Sequence, residues 1–258
     1  MKEIGGYLEF ERYHGEMLHE KAIKTNSGRS CLAYLIKSRG IKKIALPKFL
    51  CDCIIDTCIK MKVEIRYYHI GYDFTPEEIL LDDEEWIYII NYYGQISRNT
   101  ILELYRRQKR IILDNSHAYF DSPLENIDTF YSCRKFFGVS DGGILYSDNS
   151  INIEEIDVSI DRVPVLVGRY EISASRYYNK FVENEEHFYN EPIKKMSLFT
   201  ENLLHSFDYC GIKEKRRRNF EYLHNKLSNI NHLNIVVPEG PYMYPLMIRG
   251  ADKIKSTI

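Results

Sequence analysis

Three short stretches of this sequence combine residue types that could do chemistry together. The first is Thr25-Asn26-Ser27-Gly28-Arg29-Ser30, a small polar turn opening a helix-spaced run. Backbone N–H groups at a helix start lack partners within the helix and carry the positive end of its dipole, which suits a phosphate. Asn or Ser before a helix also serves as an ordinary N-cap, and both readings stay open. The second stretch is Asp114-Asn115-Ser116-His117, which ends an apolar run. Asp114 either caps the following turn through its carboxylate or holds a protonated ring nitrogen. His117 beside it is either a satisfied hydrogen-bonding histidine or a catalytic one. The third is Phe130-Tyr131-Ser132-Cys133-Arg134-Lys135-Phe136-Phe137, which sets Lys135 among four aromatic residues. Burial in such surroundings disfavours the ammonium form, as a lysine that bonds covalently to a carbonyl requires.

The elements that must position these residues alternate along the chain. Strand-like runs occur at 43–46, 63–70, 86–92 and 110–113, and segments with helical spacing at 30–38, 49–61 and 99–109. In the first helix Leu32, Leu35 and Ile36 fall on one face, the pattern of a helix packed on a sheet. The run WIYIINYY is apolar on both faces, as a strand covered on both sides is. Alternating strands and helices predict an α/β fold with a mostly parallel sheet between helices. Ligands bind beyond the carboxyl ends of such strands, which points to Pro47, Asn91, Asp114 and the residues after Ser132. Beyond Asp148 the β periodicity fades. A long helix is expected from 197 to 226, broken at Gly211, and then two strands at 235–237 and 242–248 joined by Pro238-Glu239-Gly240-Pro241.

Composition excludes several classes. Lys and Arg number 35 against 37 Asp and Glu, a net charge of −2, which argues against a protein that coats nucleic acid. The basic run at 213–218 reads as the solvated or partner-facing side of a helix. Hydrophobic residues at 44% and charged residues at 28% are globular proportions. No apolar run approaches the ~20 residues of a membrane span. The opening MKEIGGYLEFERYHGE has no signal-peptide pattern, so a cytoplasmic protein is expected, with no membrane association. The six cysteines make no C-x-x-C pair and the histidines no H-x-x-x-H pair, so free thiols and no metal site are expected.

The polar turn, Asp114 and Lys135 each fall at the end of a β unit, the order and placement that pyridoxal phosphate (PLP) enzymes use. On these residues the sequence resembles the DegT/DnrJ/EryC1/StrS sugar aminotransferases. The resemblance runs from Ile4-Gly5-Gly6-Tyr7 through NSGRSCLAYLI, ALPKFLCDCII, NYYGQ, ILDNSHAYF and SCRKFFGVSDGGILYS, covering residues 4–148. EKRRRNFEYLHNKL and YMYPLMI are later echoes. It implies PLP fold type I, with a mostly parallel seven-stranded sheet sandwiched by helices. A large PLP-binding domain is expected at residues 1–195 and a partial small α+β domain at 196–258.

By the same resemblance, Gly28, Arg29 and Ser30 match the turn that holds the cofactor phosphate. Asp114 matches the aspartate on the pyridine nitrogen, His117 a group facing the ring or its phenolate oxygen, and Lys135 the lysine that bonds to the cofactor. Three departures stand out. Arg29 replaces a usual Thr, and either Phe49 or Cys51 occupies the place of the aromatic that stacks on the ring. Phe130 stands where the family has Ser, leaving Ser132 or Thr129 as the phosphate ligand. The activity implied is transfer of an amino group, from glutamate, to a nucleotide-linked keto-sugar in surface polysaccharide or lipopolysaccharide biosynthesis. A homodimer with active sites at its interface is implied as well. Family members are usually longer, so the alternative is a truncated or degenerate member that binds PLP, or only pairs with a partner, without turnover.

Overall fold

The computed structural model describes residues 5–77 and 79–251. Ile4, the first residue of the matched stretches, lies outside them. Seven strands form one sheet: β1 Ile23–Thr25, β2 Lys43–Pro47, β3 Glu64–Tyr68, β4 Trp86–Ile90, β5 Ile111–Asp114, β6 Asp128–Ser132 and β7 Gly143–Tyr146. Their order across the sheet is β1-β7-β6-β5-β4-β2-β3. The pairs β2–β3, β2–β4, β4–β5 and β5–β6 are parallel, and β6–β7 and β1–β7 antiparallel. The α/β expectation of a mostly parallel, seven-stranded sheet therefore holds. The central strands β4 (WIYII) and β5 (IILD) are buried almost throughout, which explains their continuous apolar runs.

Helices α1 (Gly28–Arg39), α2 (Asp52–Lys60) and α3 (Arg98–Arg107) connect the parallel strands. Ser27 caps α1, its hydroxyl accepting the Ser30 N–H, and Gly40 ends it at φ 63°, a left-handed position that favours glycine. The chain then adds α4 (Val163–Glu171), α5 (Tyr178–Asn190), α6 (Leu198–Leu204) and α7 (Tyr209–Leu227). Phe220 of α7, with Leu233 and Ile235, is buried in the same apolar cluster as the sheet.

Two expectations for the last third are corrected. The helix expected from 197 to 226 is two helices, and its break lies at 205–208 rather than at Gly211. Asp208 restarts the helix by accepting the Gly211 N–H at 2.9 Å. Gly211 sits inside that first turn, where an added Cβ would lie 2.2 Å from the capping carboxylate. The strands expected at 235–237 and 242–248 do not form. Proline at 238, 241 and 245 removes ladder donors, and the N–H groups that remain find side chains instead. Val236 N–H donates to Gln95 Oε1 at 2.8 Å and Met247 N–H to Asn231 Oδ1 at 3.0 Å.

The start of α1 is fixed by close approach to β7. An added Cβ on Gly143 would meet the Ser27 carbonyl oxygen at 2.4 Å and Thr25 Oγ1 at 2.7 Å. Next to it, Gly142 donates its N–H to the Asn26 carbonyl at 2.7 Å with φ +120°. Because the obstacle at Gly143 is backbone, rotamer changes cannot relieve it. Gly143→Ala is expected to lower unfolding free energy by about 1–3 kcal/mol. Urea denaturation monitored by circular dichroism checks this, and an unchanged midpoint would show that the turn ahead of α1 yields easily.

Candidate active site

The carboxyl ends of the parallel strands open on a cavity of about 900 Å³, walled on its other sides by α1, α4 and α5. Asp114, the last residue of β5, lines it and is buried. A buried carboxylate is tolerable when its oxygens are hydrogen-bonded. Here Oδ2 accepts from the Tyr88 hydroxyl at 2.7 Å and Oδ1 from the Ser116 N–H at 2.7 Å. Tyr88 is held in its protonated, donating form, because burial first and Asp114 second push its pKa well above the usual tyrosine range.

His117 lines the same cavity. Its ring stacks on Tyr93 at 5.3 Å and on Tyr242 at 4.8 Å, and Nδ1 accepts the Tyr93 N–H at 3.4 Å. Burial above all, and then the Lys135 charge, lower its pKa to about 4 against the opposing pull of Asp114. It is a neutral imidazole at pH 7.

Lys135 lies in a single 3-10 turn, Cys133–Lys135, after β6, and lines the cavity with its Nζ 5.7 Å from the centre of the Tyr242 ring. The expectation that its aromatic neighbours bury it is corrected: Lys135 is exposed. Phe136 and Phe137 pack into a cluster with Tyr119 and Tyr131, while Lys135 opens to the cavity. Adjacency in sequence is not burial, because consecutive side chains leave a tight turn in different directions.

The remaining candidates divide. Gly28, Arg29, Phe49, Cys51 and Ser132 line the cavity. Ser30 and Thr129 are not among its lining residues; the Ser30 hydroxyl donates to Asn26 Oδ1 at 2.6 Å and that of Thr129 to the Ile127 carbonyl at 2.9 Å. Phe49 is largely exposed and stacks on Tyr92 at 5.4 Å. The Cys53 thiol, hydrogen-bonded to Cys51, lowers the Cys51 pKa, with Lys135 and Arg29 adding to it against burial. All six cysteines are free, and no cluster of three metal-ligating side chains occurs among the described residues.

Sequence reasoning missed Tyr88, Arg134, Arg162, Glu185 and Tyr242. Arg134 adjoins Lys135 and was within reach of it. The others are distant in the chain, and no local pattern marks them. What the cavity offers is an open amine, a fixed carboxylate at a strand end and several cations near the start of α1. That set fits a phosphorylated aromatic aldehyde: the amine for the carbonyl, the carboxylate for a protonated ring nitrogen, the cations for the phosphate.

No family model matches the chain, and no curated protein matches it. Solved structures do. NtdA from Bacillus subtilis, with bound cofactor PMP, aligns with TM-score 0.62 at 14% identity, over 91% of this chain and 56% of its own. DesV from S. venezuelae, in complex with a ketimine intermediate, aligns with TM-score 0.59 at 13% identity, over 91% and 66%. A DegT DnrJ EryC1 StrS aminotransferase from Brucella abortus gives 0.54 at 13% identity, over 91% and 67%. This chain thus spans about two thirds of the length of these structures, or less. The fold is that of PLP-dependent transferases of fold type I.

The state of His117 is directly measurable. Its folded pKa of about 4 lies below the roughly 6.5 of an unfolded histidine. The unfolded chain therefore binds the extra proton between those values, so the contribution to stability is complete above pH 6.5 and is lost as pH falls toward 4. The His117 ring protons are expected to titrate near pH 4 by NMR, and His117→Gln should flatten the stability slope across that window. Titration at or above pH 6.5 would mean that Asp114 outweighs burial.

Proposed function

We propose that this chain is a PLP-dependent aminotransferase of the DegT/DnrJ/EryC1/StrS type. In this reading it passes an amino group from an amino-acid donor, glutamate, to a nucleotide-linked keto-sugar destined for surface polysaccharide. The observation that carries the reading is the convergence of Lys135, Asp114 and the start of α1 on one cavity at the carboxyl ends of the parallel strands. The fold shared with sugar aminotransferases supports the reaction class. The sugar and the donor rest on the sequence resemblance.

When bound, PLP supplies an aldehyde for the amine and a ring that accepts the charge released at the adjoining carbon. The chain's own residues do the rest. Lys135, open to the cavity, takes the proton from the donor Cα and returns it on the other side of the transfer as general base and acid. Asp114, fixed by Tyr88 and Ser116, accepts a hydrogen bond from the protonated ring nitrogen and keeps it protonated. Neutral His117 serves as a hydrogen-bonding group at the ring. Either Phe49 or Cys51 would stack on the ring, and Gly28, Arg29 and Ser132, which line the same cavity, would hold the phosphate. Residues 1–195 form the cofactor-binding part in this reading, and 196–258 belong to a small domain whose Tyr242 lines the cavity. A homodimer would cover exposed apolar side chains such as Tyr170 and Ile172. No described helix is long and apolar enough to cross a membrane, in keeping with a cytoplasmic setting.

Incubation with PLP is expected to produce a visible absorbance band that borohydride fixes onto the peptide containing Lys135, identified by mass spectrometry. Lys135→Ala should abolish the fixed adduct and all amino transfer. Asp114→Asn should weaken PLP binding and slow transfer by about a hundredfold or more. Unchanged binding and turnover in both variants would sink the assignment. A fixed adduct without glutamate turnover would favour a chain that binds the cofactor but does not catalyse.

A further inference from the structure

One corner of the cavity holds more positive charge than the roles of Lys135 and Asp114 use. Arg29, Arg134 and Arg162 line it and converge on α5. Arg134 Nη2 pairs with Glu185 Oε1, while Arg29 places Nη2 3.5 Å from Glu185 Oε2 and donates Nη1 to the Glu185 carbonyl at 3.3 Å. The guanidiniums of Arg134 and Arg162 both lie against the Phe188 ring, 4.8 and 4.9 Å from its centre. Arg162 is 4% exposed and donates Nη2 to Asp157 at 2.7 Å, yet its buried Nε has no hydrogen-bond partner. Burial, followed by the charges of Arg29 and Arg162, pushes the Arg134 pKa down to about 10. Three guanidiniums thus share two directly paired carboxylates, with the charge of Asp141 also acting on Arg134, and the buried Nε donors of Arg29 and Arg162 stay unsatisfied, an arrangement that suits a further anion.

The hydroxyls of the adjoining turn cannot supply the recognition. Ser27 caps α1 and donates to Ser30, and Ser30 donates to Asn26. Beside the backbone N–H groups of the helix start, the side-chain donors that line this corner are the guanidiniums of Arg29, Arg134 and Arg162, whose forked geometry suits phosphate oxygens.

We propose that Arg29, Arg134 and Arg162 recognise a phosphate monoester dianion, and that Glu185 is its internal stand-in, a carboxylate displaced from the Arg29–Arg134 pair when the phosphate arrives. The identification of that phosphate as the cofactor's rests on the PLP reading above; a substrate phosphate is the other source. In either case ligand binding frees Glu185 and with it a tether between α5 and the start of α1.

The test is calorimetric titration of the wild type, Glu185→Gln and Arg134→Gln with inorganic phosphate and with PLP, using pyridoxal, which lacks the phosphate, as control. Removing the competing carboxylate should tighten inorganic phosphate binding about tenfold, and Arg134→Gln should weaken it about tenfold or more. Pyridoxal binding should not respond to either change. Glu185 is partly exposed, and circular dichroism on each variant before titration separates a lost fold from a lost site. Phosphate binding no tighter in Glu185→Gln than in the wild type overturns the proposal. Titrating phosphate into borohydride-fixed PLP protein separates the sources: exclusion assigns the site to the cofactor, and undiminished binding to a substrate phosphate. Arginine-dependent phosphate binding without a fixed adduct would sink the PLP reading alone. A fixed adduct on Lys135, with phosphate and PLP affinities indifferent to both variants, would sink this proposal alone.

Discussion

A carboxylate at the end of a fully buried strand is the constraint around which this structure is arranged. Asp114 terminates β5 inside the protein, where an ionised group is tolerable only if its oxygens are hydrogen-bonded. One bond comes from the next turn, through the Ser116 N–H, and the other from the neighbouring strand, through the Tyr88 hydroxyl. The second bond depends on register: Ile90 pairs with Asp114 and Tyr88 with Ile112, so Tyr88 reaches Asp114 from two residues back along β4. A one-residue slip would turn Tyr88 to the other face of the sheet and leave the carboxylate short of a donor. Tyr68 on β3 in turn donates its hydroxyl to the Tyr88 carbonyl at 2.7 Å. The acid is thus held by three strands, and a cavity placed at their carboxyl ends inherits that rigidity.

The charges of the cavity are distributed unevenly, and the unevenness follows from the elements that carry them. Asp114 stands on the sheet, whereas the arginines come from the helix start, the turn after β6 and the segment before α4. His117 lines the same cavity, stripped of its proton by burial and by Lys135, so it neither adds to the positive side nor neutralises the acid. Aromatic rings, rather than ion pairs, hold His117, which stacks on both Tyr93 and Tyr242.

How much of this was legible in the sequence depends on how each element is buried. Strands β4 and β5 are covered on both faces, so their apolar runs are continuous and easily read. Helix α1 shows its Leu32, Leu35 and Ile36 stripe because one face packs on the sheet. Asp114 and Lys135 were readable because each closes such a strand or the turn after it. The aromatic neighbours of Lys135 misled: Phe137 stacks on Phe207, in the link between α6 and α7, and draws its own side chain away from the lysine's surroundings. The break between those helices was misplaced for a related reason, since glycine is a weaker local signal than the capping carboxylate of Asp208, which sets the start of α7.

Helix α5 is the opposite case. Tyr178, Phe181, Val182 and Tyr189 leave much of their surface exposed, so the helix shows no stripe that a core would impose. Two of its side chains, Glu185 and Phe188, are engaged by guanidiniums. Attraction between charges leaves no period in a sequence, because its partners lie on α1, on the turn before Lys135 and on the segment ahead of α4. A helix positioned by charge is also held by fewer and more easily exchanged contacts than one positioned by packing. An incoming anion competes directly with Glu185 for the same donors, whereas it could not compete with a leucine for a hydrophobic seat. The feature that hid α5 from sequence reading is therefore the one that makes it responsive to what binds in the cavity.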